Sequence, residues 1–201
     1  MTAELDRLGQ VMARLRSDCP WDREQTHRSL VTYLVEETGE VVDAIEAGDD
    51  TDLVEELGDL LLQVFFHAQI ASESGRFGLD DVVRGISDKL VARHPHVFGG
   101  DDVPEDLHGT WEARKRAEKG RSSALEGIAE SLSVIARATK VASRTRNHHV
   151  PISLPDEAIT ADEVGHGILE LVLRAQANGI DADQATRDAL RDLEGRIRSA
   201  E

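Results

Sequence analysis

Thr51 to Ser74 reads TDLVEELGDLLLQVFFHAQIASES, and this stretch decides the fold. Leu60 to Phe66 is apolar almost all the way round a helix, which predicts a segment buried on most sides. Gly48-Asp49-Asp50 supplies a turn ahead of it, and Gly75 stops it. Working back from there, residues 27–47 predict a second helix, its start capped by Asp22 with Gln25 or by Thr26 alone. Residues 3–16 carry Leu5, Leu8, Val11, Met12 and Leu15 at helical spacing, and Ser17 to Asp22 breaks that pattern. Working forward, a helix from Leu79 to His94 ends at Pro95, and residues 99–108 form a polar loop. A short charged helix over 110–119 and a linker over 120–123 follow. The second half holds helices over about 128–144, 160–178 and 182–199. No run of alternating residues argues for a strand, so the fold class is all-α.

Composition agrees. The apolar residues are mainly Leu, Val, Ile and Ala, with only 3% aromatics among the 201 residues, a mix suited to packed helices. The formal net charge of −16 opposes binding to nucleic-acid backbones or anionic membranes, so no direct nucleic-acid partner is expected. No apolar stretch approaches a membrane span, and Met1-Thr2-Ala3-Glu4 does not read as a signal peptide. The single Cys19 rules out an internal disulfide, and a cytoplasmic protein is the simplest expectation.

Two acidic signatures lie on neighbouring expected helices: Glu36-Glu37-Thr38-Gly39-Glu40 and Glu56-Leu57-Gly58-Asp59. On a helical wheel Glu36, Glu40 and Asp43 share one face with Glu37 at its edge, while Leu30, Leu34, Val41, Val42 and Ile45 fill the other side. Alone, that is an ordinary amphipathic helix with a solvated acidic face. The second signature shifts the balance, because Glu56 and Asp59 are flanked by Leu53, Leu57 and Leu60. A buried ionised carboxylate costs several kcal/mol unless paired or metal-bound. Ala47 to Glu55 holds no Lys or Arg, so a hard cation such as Mg²⁺ is the economical partner. Gly39 and Gly58 lie inside helical patterns, and a close helix–helix approach there would account for both.

Glu36-Glu37-x-x-Glu40 followed by Glu56-x-x-Asp59 resembles the motif of the MazG-type nucleoside triphosphate pyrophosphohydrolases. Cys19-Pro20-Trp21-Asp22, Glu55 to Leu61, Ser87-Asp88-Lys89-Leu90 and Arg93-His94-Pro95-His96-Val97-Phe98 resemble that family in its order, from about residue 8 to 119. The resemblance implies an all-α bundle completed by dimerisation into a homodimer or higher homo-oligomer. It implies Mg²⁺-dependent hydrolysis, with Mn²⁺ able to substitute, of NTP or dNTP to the monophosphate and diphosphate. Carried over by position, Glu37, Glu40, Glu56 and Asp59 are implied metal ligands, and Glu36 is the carboxylate left to orient or deprotonate the attacking water.

Lys89 and Arg93 lie at i and i+4, so both leave one helix face, where a cationic pair suits a polyphosphate; a solvated basic edge is the other reading. Trp111 and Lys115 repeat that spacing. Similarity implies that Trp111 stacks on the nucleobase with Lys115 near the phosphates; the alternative is a Trp that docks its helix on the core. Trp21 reads as structural. His94 and His96 around Pro95 raise zinc, but the absence of thiolates and the nearby carboxylates argue against it.

The domain expectation is a catalytic MazG-type domain over 1–119 and a helical region over 120–201 that resembles a degenerate second repeat. Glu163-Val164-Gly165-His166 echoes Glu56-Leu57-Gly58-Asp59 with His for Asp, and no Glu-Glu-x-x-Glu precedes it. The leading expectation is a Mg²⁺-dependent pyrophosphohydrolase that cleans the nucleotide pool. Its rivals are a related all-α hydrolase narrow for dUTP, dCTP or phosphoribosyl-ATP, and a non-catalytic regulator that binds metal or nucleotide.

Overall fold

The computed structural model describes residues 3–201, apart from the side chains of His108, Glu112, Ala113 and Arg116. All regular structure among these residues is helical: α1 (Ala3–Asp18), α2 (Pro20–Glu24), α3 (Val31–Ala47), α4 (Asp50–Glu73), α5 (Leu79–Arg93), α6 (Pro95–Phe98), α7 (Leu107–Lys119), α8 (Val134–Asn147), α9 (Ala161–Ala177) and α10 (Ala182–Ala200). The chain divides into two compact units, residues 1–98 and 99–201.

In the first unit, α3 and α4 form the principal helix pair. The turn between them is built from the sequence outward. Gly48 takes the left-handed conformation (φ 71°) that ends α3, and the Asp49 carboxylate accepts from the Thr51 and Asp52 N–H groups to start α4. Met12, Leu30, Phe65 and Phe66 form the core, with Leu5, Leu8, Leu62, Ile70 and Leu79 packed around it. Trp21, read as structural, is 50% exposed and lies edge-on to Tyr33 and Phe66 at centroid distances of 5.8 and 6.4 Å. Arg16 joins three helices. It forks onto Glu73 at the end of α4, and its Nη1 donates to the carbonyls of Asp22, Arg23 (3.1 Å) and Gln25 (3.0 Å) around the end of α2.

In the first unit, four expectations need correction. The Cys19–Asp22 stretch does not simply break the chain. Pro20 opens the short helix α2, because a proline at the first helical position loses no hydrogen bond. The helix expected over 27–47 begins at Val31, and Thr26 caps the turn before it, exchanging hydrogen bonds with Ser29 (Thr26 N–H to Oγ 2.9 Å, Ser29 N–H to Oγ1 3.1 Å). A Cβ built on Gly39 or Gly58 meets nothing within 4 Å, so neither glycine marks a close approach of helices among the described residues. Finally, the apolar residues expected to be buried are largely open: Leu34, Val42 and Ile45 on α3 and Leu57, Leu61 and Val64 on α4 are all exposed, and Ala44 is the buried residue of α3.

In the second unit, α8 and α10 pack around Val134, Val141, Leu190 and Ile197, with Leu125 and Ile128 from the turns before α8. The helix expected from residue 128 begins at Val134, where the Ser133 hydroxyl accepts from the Ala136 N–H at 3.3 Å. Glu194 is buried on α10 and is paired with Arg137 at 2.8 Å and Arg198 at 3.4 Å. No residue of α9 is buried, although it carries Ile168, Leu169, Leu171, Val172 and Leu173.

Candidate active site

The two acidic signatures converge in the first unit. Glu37 on α3 and Glu56 and Asp59 on α4 each offer a carboxylate oxygen, and these oxygens lie within 4.8 Å of one another. All three residues are half-buried. The sequence causes this directly. Glu56 and Asp59 are one turn apart on α4, and Glu37 precedes Val41 and Ala44 at helical spacing on the side of α3 that is least exposed. The wheel set Glu37 at the edge of the acidic face; in the fold it lies on the inner side with Val41 and Ala44.

Glu40, predicted as a fourth ligand, is exposed and outside the three converging carboxylates, but its charge acts on them. Partial burial first, then the charges of Asp59 and Glu40, push the Glu37 carboxyl above its ordinary range. Desolvation, followed by Glu40, Glu55, Asp59 and Asp52, pushes Glu56 upward as well. Like charges held this close repel unless a cation or protons compensate them. Three convergent carboxylates with no basic partner among those influences suit a hard divalent cation, which takes oxygen ligands.

Gln63 was missed by sequence reasoning. It is buried, at 4% exposure, and it interacts with the Glu37 carboxylate, favouring its charged form. Its Oε1 is buried with no hydrogen-bond partner among the described residues. The available signal was a lone amide in the apolar run Leu60 to Phe66, four residues after Asp59.

The remaining site residues are placed as follows. Glu36 is exposed and outside the three-carboxylate cluster. Lys89 is half-buried and Arg93 buried, one turn apart on α5. Trp111 and Lys115 lie on α7 in the second unit, where the Lys115 ammonium stands 4.3 Å from the Trp111 ring centre. His94 and His96 are neighbours with ring centres 5.7 Å apart, and the His94 Nδ1 pairs with the Leu90 carbonyl at 2.7 Å. Among the described residues, no other group of three potential ligands accompanies the acidic one. In the second unit, Glu163 is the partner of Thr160 in a capping box, and that contact holds its carboxyl below the usual range. His166 faces Asp162 at 3.1 Å.

Comparison with known proteins adds to this geometry. Residues 25–98, which contain both acidic signatures, match the family model of the MazG nucleotide pyrophosphohydrolase domain. The chain is 37% identical to the nucleoside triphosphate pyrophosphohydrolase of Escherichia coli, over 98% of this chain and 87% of that protein. It is 39% identical to the enzyme of the same name from Mycobacterium tuberculosis, over 95% of this chain and 56% of that one. A crystal structure of a mazG-related protein from Thermotoga maritima aligns with a TM-score of 0.49 at 27% identity, covering 55% of this chain and 98% of that one.

Proposed function

The chain belongs to the MazG nucleotide pyrophosphohydrolase family, and from that premise we propose that it is a Mg²⁺-dependent enzyme converting NTP or dNTP and water to the monophosphate and diphosphate. The observation that carries this reading is the convergence of Glu37, Glu56 and Asp59 inside the matched segment. With Glu40 as the fourth acid, these residues hold the cation, and Mn²⁺ substitutes for Mg²⁺. The bound ion supplies charge neutralisation for the polyphosphate as it is cleaved.

The chain's own side chains do the rest. Glu36, exposed one residue before the inward-facing Glu37, orients the attacking water and accepts its proton. Lys89 and Arg93, one turn apart on α5, bind the polyphosphate. Trp111 stacks on the nucleobase, a tolerant contact because every base has a π face, and Lys115 accompanies it near the phosphates. The catalytic region is residues 1–119, and residues 120–201 are a degenerate, non-catalytic repeat. The exposed aliphatics of the first unit, among them Val35, Ile45 and Val54, support a homodimer or higher homo-oligomer. The enzyme works in the cytoplasm, clearing surplus and non-canonical nucleotides.

Incubation with mixed NTPs and Mg²⁺ in ¹⁸O-labelled water tests the reading. The products are NMP and diphosphate, with the label in one of the two. Release of NDP and inorganic phosphate would refute it. A panel of canonical, deoxy and oxidised nucleotides, with dUTP, dCTP and phosphoribosyl-ATP, then gives the substrate range.

A further inference from the structure

We propose that Gln63 is a positioning residue of the carboxylate cluster: it fixes Glu37 from the buried side and presents its free carbonyl oxygen to a water held by the bound cation. The inference rests on the metal-site reading above. It is carried by three observations. Gln63 follows Glu56 and Asp59 at i+7 and i+4, the spacing that keeps one face of α4, so one helical stripe holds two ligands and the amide. The amide interacts with Glu37, the ligand contributed by the other helix. Its Oε1 is buried and lacks a partner among the described residues, in a side chain that is itself 4% exposed.

A glutamine used only to fill space in the run Leu60 to Phe66 would be a poor choice. A buried acceptor left unpaired costs desolvation that a leucine or methionine of similar volume would not. The amide has what the site needs in both polar atoms. Its N–H group is a donor that suits a neighbouring carboxylate and holds it in one rotamer. Its oxygen accepts from the water that completes a hard cation's shell. Groups of this kind, one step removed from the metal, typically change affinity by about 10–100-fold when removed.

The test is Mn²⁺ titration by calorimetry on the full-length protein, with thermal unfolding of the metal-free form measured alongside. Gln63→Leu is expected to weaken Mn²⁺ binding about 10–100-fold while the metal-free melting temperature is unchanged or higher. Gln63→Met keeps the unbranched shape of the side chain and is expected to behave in the same way, so it carries the measurement where the leucine variant misfolds. A cycle with Glu37→Gln gives a readout that packing alone would not move. Once Glu37 is uncharged, adding Gln63→Leu is expected to weaken binding by less than about threefold. Mn²⁺ affinity within about threefold of the parent in either folded single variant, or full additivity in the cycle, overturns the proposal. A parent protein that binds no Mn²⁺ overturns the metal site itself, and this proposal with it.

Discussion

The Arg16 guanidinium grips the Glu73 carboxylate at two points, Nε to Oε1 at 2.9 Å and Nη2 to Oε2 at 2.5 Å, closing α1 onto the far end of α4. The same guanidinium caps the carbonyls at the end of α2. One side chain thus fixes three helices around the Phe66 ring, which it also overlies at 5.8 Å.

Lysine cannot reproduce that fork. Arg16→Met is expected to lower unfolding free energy by about 2 kcal/mol, the scale of hydrogen bonds to charged groups, with Arg16→Lys recovering part of it. Urea denaturation measures both, and a methionine variant within about 0.5 kcal/mol of the parent, as for an ordinary surface change, would dismiss the hub.

In acid, His67 and Glu73 should each withdraw stability from the first unit, in two separate steps, while protonation of Glu37 and Glu56, both held above the ordinary range, works the other way. The Nε2 of His27 faces the Arg76 guanidinium at 2.7 Å, and arginine can only donate, so His27 carries its proton on Nδ1 and gives it to the Nδ1 of His67 at 2.8 Å. A second proton on the His67 ring sets donor against donor. Burial, then His27, lowers the His67 pKa, so the unfolded chain takes up the proton first and stability falls as pH drops below the ordinary histidine value of 6.5. Glu73, held low by Arg16, keeps its contribution above its ordinary value of 4.5 and loses it as pH falls through the depressed range. His67→Phe is expected to flatten the first step of a melting-temperature profile and leave the second.

Removing one charge from the acidic cluster should not harm the metal-free fold. Asp59→Asn is expected to melt at or above the parent without metal, because it relieves repulsion on Glu37 and Glu56. With Mn²⁺ at a hundredfold over its dissociation constant the parent gains about 2.7 kcal/mol, and the variant little of it. A metal-free loss above about 3 °C, roughly 1 kcal/mol at this length, would mean that Asp59 is structural instead.

In the second unit, Glu163→Ala with His166→Ala is expected to leave kcat within about threefold of the parent, a change of less than about 0.7 kcal/mol in the barrier. The melting temperature should fall slightly, because the Thr160–Glu163 capping box is lost. A large loss of turnover in a folded variant would give the second half a chemical role.

The sequence made some parts of this site legible and hid others, for identifiable reasons. Glu56 and Asp59 could be read because their spacing on one helix fixes their common face regardless of tertiary structure. The orientation of Glu37 could not. A wheel weights the large residues Leu34, Val42 and Ile45, whereas α3 turns its small Ala44 inward and leaves those three open. Gly39 and Gly58 invited an explanation by close packing that local spacing cannot test, and both face open space. Turn chemistry shifted two helix starts: the Thr26–Ser29 exchange delays α3, and the Ser133 cap delays α8. Lone polar residues in apolar runs were under-read, with Gln63 as the costliest case.

Helix α9 buries none of its side chains, and a helix of 17 residues draws little stability from its backbone alone. Its amide protons therefore report on whatever shields that aliphatic stripe. In a lone chain they should exchange with deuterium well before those of α4, whose Phe65, Phe66, Ala68 and Ala71 are locked in. If protection in 161–177 grows with protein concentration, self-association can be followed residue by residue, with no assay of turnover.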